Sequence, residues 1–317
     1  MKRVEISKLT LIKDTNILGR YTSVEGEYYI PELRKTGFYK SNGCMCGAMD
    51  DADLRELLAA RIMEKIGFPH ADIILAVNKD GQNGCLSVNI LNENEEFVEP
   101  SNKRIQYRDI NNGEDFINLD LELISLIPGI NAEDLRIRKE YLLKYLLMSA
   151  FISNTDIKMD NMMIIKNNST GIFRNPEYYD MGIAFIENNN RRFFFNYSSI
   201  ELIEQLYNDY PSQIVPLGRK IEQNINRKII ESLLDEESFN GFSLQNKKSI
   251  IRQLTNRMEC IKRLNSRPEN NFTYSTDEVH EVCKDVPNGV KEQLGALFYR
   301  IFRNNRGRNQ DEWLNYI

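Results

Sequence analysis

The clearest hydrophobic pattern in the chain lies near its middle, between residues 131 and 152. Asn131 is a good N-cap residue, and Glu133 and Asp134 follow it in what would be an acidic first turn. From Leu135 to Ile152, apolar residues occur on most sides of the helical wheel instead of along one stripe. A helix with that pattern is buried on most sides. We therefore predict that residues 131–152 form the central helix of a domain.

The first part of the chain is predicted to be rich in β-strands. Short β-like runs separated by glycine and proline occur at residues 4–12, 27–30, 37–40, 72–78 and 84–91. One helix interrupts these runs, because apolar residues recur with a 3.6-residue period from Leu54 to Ile66. Asp50 or Asp51 can cap its start, and Gly67 can end it. These patterns predict a β-sheet accompanied by a single helix.

The remainder of the chain is predicted to be mainly helical. Residues 92–115 are rich in Asn, Glu and Asp and mark a domain boundary or a loop. Helical spacing returns in the last third at residues 199–207, 216–234, 243–264, 276–283 and 286–302. The predicted fold class is α/β (α+β), with two lobes. A small β-rich N-terminal lobe covers residues 1–92, and a mostly helical C-terminal lobe covers residues 93–317.

The composition limits the classes of partner and the location. With 317 residues, 41% of them hydrophobic, the chain can form two domains with separate cores. A formal net charge of −5 gives no overall reason to bind nucleic acid or an anionic membrane. No apolar run approaches the about 18 residues of a membrane span, and the N-terminus lacks the apolar core of a signal peptide. We therefore expect a cytoplasmic protein, with its five cysteines reduced.

Polar residues that suit phosphoryl transfer follow the predicted central helix. Asp156, Lys158 and Asn161 precede the next apolar run, and Asp180 lies on the apolar segment after it, followed by Met-Gly. Phosphoryl transfer needs a carboxylate that accepts the proton of the acceptor hydroxyl, and an amide oxygen and a second carboxylate that hold Mg²⁺. Asp156 suits the first role, and Asn161 and Asp180 suit the second. Lys158 would neutralise charge on the transferred phosphate.

This set of residues resembles the catalytic loop and magnesium-binding triplet of the protein-kinase-like superfamily. Asn154-x-Asp156-x-Lys158-x-x-Asn161 is most similar to the Asn-x-Asp-x-His-x-x-Asn pattern of the HipA-like serine/threonine kinases of bacteria. It departs from that pattern at Lys158, where eukaryotic-type kinases also have lysine. The resemblance covers roughly residues 25–185. It implies a two-lobed protein-kinase-like fold with ATP and Mg²⁺ as cofactors.

The resemblance also implies roles for residues of the N-terminal lobe. Lys40, at the end of a predicted strand, would contact the α- and β-phosphates, and Glu56 on the following helix would hold it in place. Residues 67–71 match the family's run at the end of that helix. Residues 88–93 would form the hinge that pairs with adenine. Residues 19–26 are the candidate phosphate-covering loop, and they are equally suited to an ordinary surface hairpin.

The acceptor is constrained only by the resemblance, which implies a serine or threonine hydroxyl of a protein, with this protein itself among the candidates. The implied enzyme is bacterial and acts on a translation-related or host-cell protein, in the latter case after secretion without a classical signal peptide. Two alternatives stay open. The same residues suit a small-molecule phosphotransferase, and the absence of a glycine triplet suits a pseudokinase that binds nucleotide or a partner without turnover. For Lys40 and Glu56, the alternative to a paired role at the nucleotide is that both are solvated surface charges.

Overall fold

The computed structural model describes residues 3–14, 24–42, 50–98, 112–157, 159–185 and 197–267. Within these ranges it contains nine strands in two sheets and seven α-helices. Seven of the strands and one helix come first along the chain, and the other six helices follow. This order agrees with the predicted fold class. The predicted boundary at residue 92 stays a prediction.

The larger sheet has six strands in the order β1-β5-β6-β4-β3-β2. Their bounds are β1 Val4–Glu5, β2 Thr10–Asp14, β3 Gly26–Ile30, β4 Lys35–Ser41, β5 Ile73–Val77 and β6 Asn83–Val88. Neighbouring strands are antiparallel except for β1 and β5, which are parallel. The prediction of one run over residues 4–12 is wrong, because a 3₁₀ turn at Ile6–Lys8 separates β1 from β2. The Leu9 N–H bonds back to the Ile6 carbonyl instead of to a neighbouring strand.

Strands β4 and β6 approach each other closely near the end of β4. Lys40 pairs with Cys85, and Ser41 pairs with Gly84. A Cβ atom at position 84 would collide with the Lys40 carbonyl, so this approach requires glycine. Because directly opposite residues share a face of a sheet, the side chains of Lys40 and Cys85 point to the same side.

Helix α1 (Ala52–Ile66) is buried along almost its whole length, and it ends at Gly67, whose φ of 72° is left-handed. Both the helix and its glycine stop were predicted from the sequence. The predicted position of the N-cap is confirmed, but its hydrogen bond is not. Asp51 is the N-cap residue, but its side chain makes no cap hydrogen bond and instead accepts two hydrogen bonds from Arg55.

The helical part is organised around α3 (Ala132–Ile152), as predicted. Asn131 and Asp134 form a capping box at its start, and Leu142 and Leu146 are fully buried. Helices α2, α4, α5 and α7 contact α3, and α6 packs on α7. The bounds of these helices are α2 Gly113–Ser125, α4 Ser199–Asp209, α5 Pro211–Asn224, α6 Arg227–Leu234 and α7 Leu244–Asn265.

Two segments differ from prediction. The region read as a boundary or loop contains β7 (Glu95–Val98), which pairs with β8 (Ile164–Asn167), and β8 pairs in turn with β9 (Phe173–Arg174). Residues 216–234 form parts of two helices instead of one, because the chain leaves α5 at Ile225 and the Asn226 side chain caps α6 by accepting from the Ile229 N–H.

Several predictions fall outside the described residues, namely the helices at 276–283 and 286–302, most of the candidate loop at 19–26, and three of the cysteines. The two cysteines that the structure does describe, Cys85 and Cys260, are buried free thiols, in agreement with the prediction. No helix in the described ranges combines the length and the apolar character needed to cross a bilayer.

Candidate active site

Three charged side chains from distant parts of the chain meet at one point. Lys40 on β4 places its Nζ 2.7 Å from Asp180 Oδ1 and 3.8 Å from Oε1 of Glu56 on α1. Lys40 is 6% exposed and Glu56 is 2% exposed, whereas the Asp180 side chain remains 29% exposed. The structure thus brings together the three residues predicted to act on the nucleotide, with Asp180 on the solvent-accessible side.

The charges in this cluster are unevenly balanced. Burial alone would lower the pKa of Lys40, but the carboxylates of Asp180 and Glu56 outweigh burial and raise that pKa above its ordinary value. Lys40 is therefore charged at neutral pH. Burial raises the pKa of Glu56, and the attraction of Lys40 offsets only part of that shift. The single positive charge of Lys40 is shared by the carboxylates of Asp180 and Glu56, and the buried Glu56 carboxylate is the less well compensated of the two.

Cys85 is a further neighbour of Glu56 that the sequence did not reveal. Its thiol donates to Glu56 Oε2 at 3.6 Å. Burial, with the Glu56 carboxylate adding to it, raises the pKa of Cys85 well above its usual range, so the group is a neutral thiol. The other oxygen, Oε1, is buried and makes no hydrogen bond within the described part of the chain. Its attraction to Lys40 across 3.8 Å is its compensation there.

The loop after α3 is held in place by Asn154, which is fully buried. Its Oδ1 accepts from the Asp156 N–H at 3.2 Å, and its Nδ2 contacts Met181 Sδ at 2.9 Å. Through the first contact, Asn154 anchors the backbone of the loop. The second contact, which was not predicted, joins this loop to the residue that follows Asp180.

Within the loop, Asp156 and Asn161 lie side by side. Asn161 Nδ2 donates to the Asp156 carbonyl at 3.1 Å and is 3.4 Å from Asp156 Oδ2. Because the amide nitrogen is used in this way, the amide oxygen is the atom of Asn161 suited to a cation. Lys158 lies outside the described residues, and its place near the γ-phosphate stays a prediction. Asp160 is exposed.

The segment that carries Asp180 is fixed by the loop after α1. The Tyr178 N–H donates to the Pro69 carbonyl at 3.1 Å, and the Tyr178 carbonyl accepts from the Ala71 N–H at 2.9 Å. Asp180 itself has a φ of 60°. A left-handed backbone costs a non-glycine residue on the order of 1 kcal/mol, so the surrounding contacts must hold it there.

The oxygen donors at this site match the requirements of Mg²⁺. In nucleotide-dependent enzymes Mg²⁺ binds few protein oxygens and completes its octahedron with phosphates and water. Asp180 and Asn161 supply a carboxylate and an amide oxygen for that arrangement. The described ranges contain no group of three or more His, Cys, Asp or Glu side chains that could hold a metal.

The sheet with its lysine–glutamate pair, set against a helical lobe that supplies Asp156, Asn161 and Asp180, defines a protein-kinase-like fold. Among solved structures the chain is similar to the Helicobacter pylori proinflammatory kinase CtkA, with a TM-score of 0.58 and 11% identity. The match covers 84% of this chain and 98% of that chain. It confirms the predicted two-lobed kinase-like fold.

A second similarity is to the toxin–antitoxin complex of HipA, HipB and operator DNA from Shewanella oneidensis, with a TM-score of 0.42 and 11% identity. It covers 74% of this chain and 60% of that chain. The CtkA match alone supports the fold. No protein-family model matches the chain, and no curated protein matches it in sequence.

Proposed function

We propose that this protein is an ATP-dependent kinase that transfers the γ-phosphate to a serine or threonine hydroxyl of a protein, with itself as one acceptor. The observation that supports it most directly is the position of Lys40 Nζ, 2.7 Å from Asp180 Oδ1 and 3.8 Å from Glu56 Oε1. A lysine held between a helix glutamate and a metal-binding aspartate is the arrangement that positions nucleotide phosphates in kinases.

We assign each residue of the candidate site one role in this reaction. Lys40 binds the α- and β-phosphates, and Glu56 holds Lys40. Asp180 and Asn161 bind Mg²⁺, which neutralises phosphate charge when the nucleotide is present. Asp156, only partly buried on its anchored loop, orients the acceptor hydroxyl and takes its proton. Lys158, two residues further on, neutralises charge on the transferred group.

The proposal is tested by incubating the purified protein with Mg²⁺ and γ-labelled ATP, followed by mass spectrometry of the protein itself. Asp156→Asn and Asp180→Asn should remove turnover and keep the fold, because each substitution replaces a carboxylate with an amide of similar size. Asp160→Asn is the matched control, since Asp160 is exposed and lies on the same loop. Phosphopeptides in the wild type and this control, and in neither of the other variants, are the expected result.

Other outcomes point to different functions. Nucleotide binding without any phosphopeptide would exclude autophosphorylation, and a screen of protein and small-molecule hydroxyl acceptors would then decide between kinase and small-molecule phosphotransferase. Binding without turnover on any acceptor would indicate a pseudokinase. Absence of nucleotide binding would refute the proposal.

The setting proposed for this activity is bacterial. Transfer to a translation-related protein would take place in the cytoplasm, whereas transfer to a host-cell protein would require secretion. CtkA, with which the fold is shared, is described as a proinflammatory kinase. Phosphoproteomics after expression in bacterial and in animal cells would separate the two, because only the relevant proteome contains the acceptor.

A further inference from the structure

Arg55 lies next to Glu56 on α1, but its guanidinium points to a different part of the molecule. It is 8% exposed. Its Nε and Nη2 donate to the two carboxylate oxygens of Asp51, at 2.8 and 3.0 Å, one turn earlier on the helix. This bidentate pair fixes the direction of the guanidinium, so that Nη1 is directed away from α1.

The Nη1 atom of Arg55 binds the backbone that follows Asp180. It donates to the Ala184 carbonyl at 3.1 Å and to the Phe185 carbonyl at 2.9 Å. These carbonyls belong to no helix or sheet ladder, and buried carbonyls need a donor from elsewhere. Phe185 also has a left-handed φ of 61°, a conformation that its neighbours must maintain.

Helix α7 also binds the residues around Arg55. Asn246 Nδ2 donates to Asp51 Oδ2 at 2.8 Å, and Gln253 Nε2 donates to the Phe185 carbonyl at 3.3 Å. The Phe185 N–H donates to the carbonyl of Ile152, the last residue of α3. The cluster of Asp51, Arg55 and Phe185 therefore joins α1, α7 and the end of the central helix to the segment behind Asp180, and Arg55 is its link from α1 to that segment.

From this geometry we infer that Arg55 is a positioning residue that keeps Glu56 and Asp180 in register with Lys40. A helix moves as a rigid body, so a shift of α1 that separated Glu56 from Lys40 would also separate Arg55 from the two carbonyls. Conversely, displacement of Ala184 and Phe185 would release α1. The catalytic part of this inference rests on the proposed kinase function, whereas the positional part can be measured without activity.

The test compares Arg55→Met with Arg61→Met. Both substitutions remove an arginine from α1, but Arg61 is partly exposed and pairs only with Glu64 in the described structure. Peptide-resolved alkylation of Cys85 by iodoacetamide reports the position of α1, because Cys85 is fully buried against Glu56. Cys260 on α7 is the internal control, since global unfolding would expose both thiols.

In Arg55→Met, Cys85 should react about tenfold faster or more, because hydrogen bonds from a charged donor shift a local opening equilibrium by roughly that factor. Cys260 should react as in the wild type, and Arg61→Met should change neither thiol. The kcat for phosphoryl transfer should fall, with a smaller change in the KM for the acceptor. Arg55→Lys, which keeps a cationic donor but cannot make the bidentate pair, should recover part of both effects.

The inference is overturned if Cys85 reacts at the wild-type rate in folded Arg55→Met, or if both cysteines accelerate equally in Arg55→Met and in Arg55→Lys. If the wild type transfers no phosphate but Cys85 still responds selectively, the proposed kinase function fails and the positioning role stands.

Discussion

Replacing the two buried members of the Lys40–Glu56–Asp180 cluster should change stability in very unequal ways. In Glu56→Gln, Lys40 keeps Asp180 at 2.7 Å, and the poorly compensated buried carboxylate is removed. In Lys40→Met, Glu56 loses its cation while it remains 2% exposed. Proposed nucleotide turnover should fall in both variants, so only stability distinguishes them.

The magnitudes follow from what each substitution leaves behind. Removing one partner of a buried ion pair strands a charge and costs about 3–5 kcal/mol. We expect Lys40→Met to lie near the lower end, because the Asp180 side chain is 29% exposed and is solvated without its partner. Glu56→Gln gives up an attraction across 3.8 Å, but it also removes the desolvation that raises the pKa of Glu56. We therefore expect a change within about 1 kcal/mol at neutral pH.

The dependence of stability on pH shows whether the ionised Glu56 carboxylate stabilises or destabilises the fold. The folded-state pKa of Glu56 is raised above 4.5, so its contribution to stability is fully present below pH 4.5 and is lost as the pH rises through the folded value. Glu56→Gln should remove that loss, and its stability relative to wild type should increase as the pH rises from 4.5. Urea unfolding of the three proteins between pH 4.5 and 8 measures both effects. Equal destabilisation by the two substitutions, or a pH-independent difference between Glu56→Gln and wild type, would refute the reasoning.

Three other experiments test separate parts of the fold. Asp120→Ala should lower the free energy of unfolding by about 3–5 kcal/mol, because it removes the carboxylate partner of Arg138, a buried residue of α3, whereas adding Arg138→Met should recover most of that loss in urea unfolding. Gly84→Ala should lower nucleotide affinity measured by calorimetry, because its Cβ displaces the carbonyl of the site lysine. Arg174→Met should reduce the pH dependence of stability that comes from Glu95, because Arg174 is the main cause, beside Asn92, of the folded pKa of about 2. In acid unfolding the wild type should lose this contribution as the pH falls from 4.5 through that value, and the variant should lose less of it.

Most of the regular elements were predictable because their signals are local. Helix α3 has a capping box and continuous apolar character, and α1 has a 3.6-residue period and a glycine stop at Gly67. Strand β7 and helix α2 were not predicted. The sequence of β7 is short and largely polar, and the strand forms because it pairs with β8. Helix α2 follows a run of polar residues, and that run alone indicated only a boundary or a loop.

The candidate site was predictable as a set of residue types in order, but its supporting contacts were not. Nothing in the sequence near Asn154 indicates that its amide contacts Met181, and nothing near Arg55 indicates that it binds carbonyls 129 and 130 residues away. Cys85 reaches Glu56 only because β4 and β6 pair in one particular register. These are tertiary contacts, which local periodicity does not encode.

The same contacts explain why the site can depart from low-energy local structure. Of the five non-glycine residues with positive φ in the described ranges, three are Ser153, Asp180 and Phe185, and all three adjoin the candidate site. Each conformation costs on the order of 1 kcal/mol and persists only where the surroundings over-determine it. Here the surroundings are the buried second half of the central helix, from Tyr145 to Ile152, and the hydrogen bonds of Arg55. A buried, poorly compensated Glu56 is a further cost at the same place. Because natural sequences depart from local rules chiefly where function requires it, this concentration of costs is an independent reason to place the chemistry here.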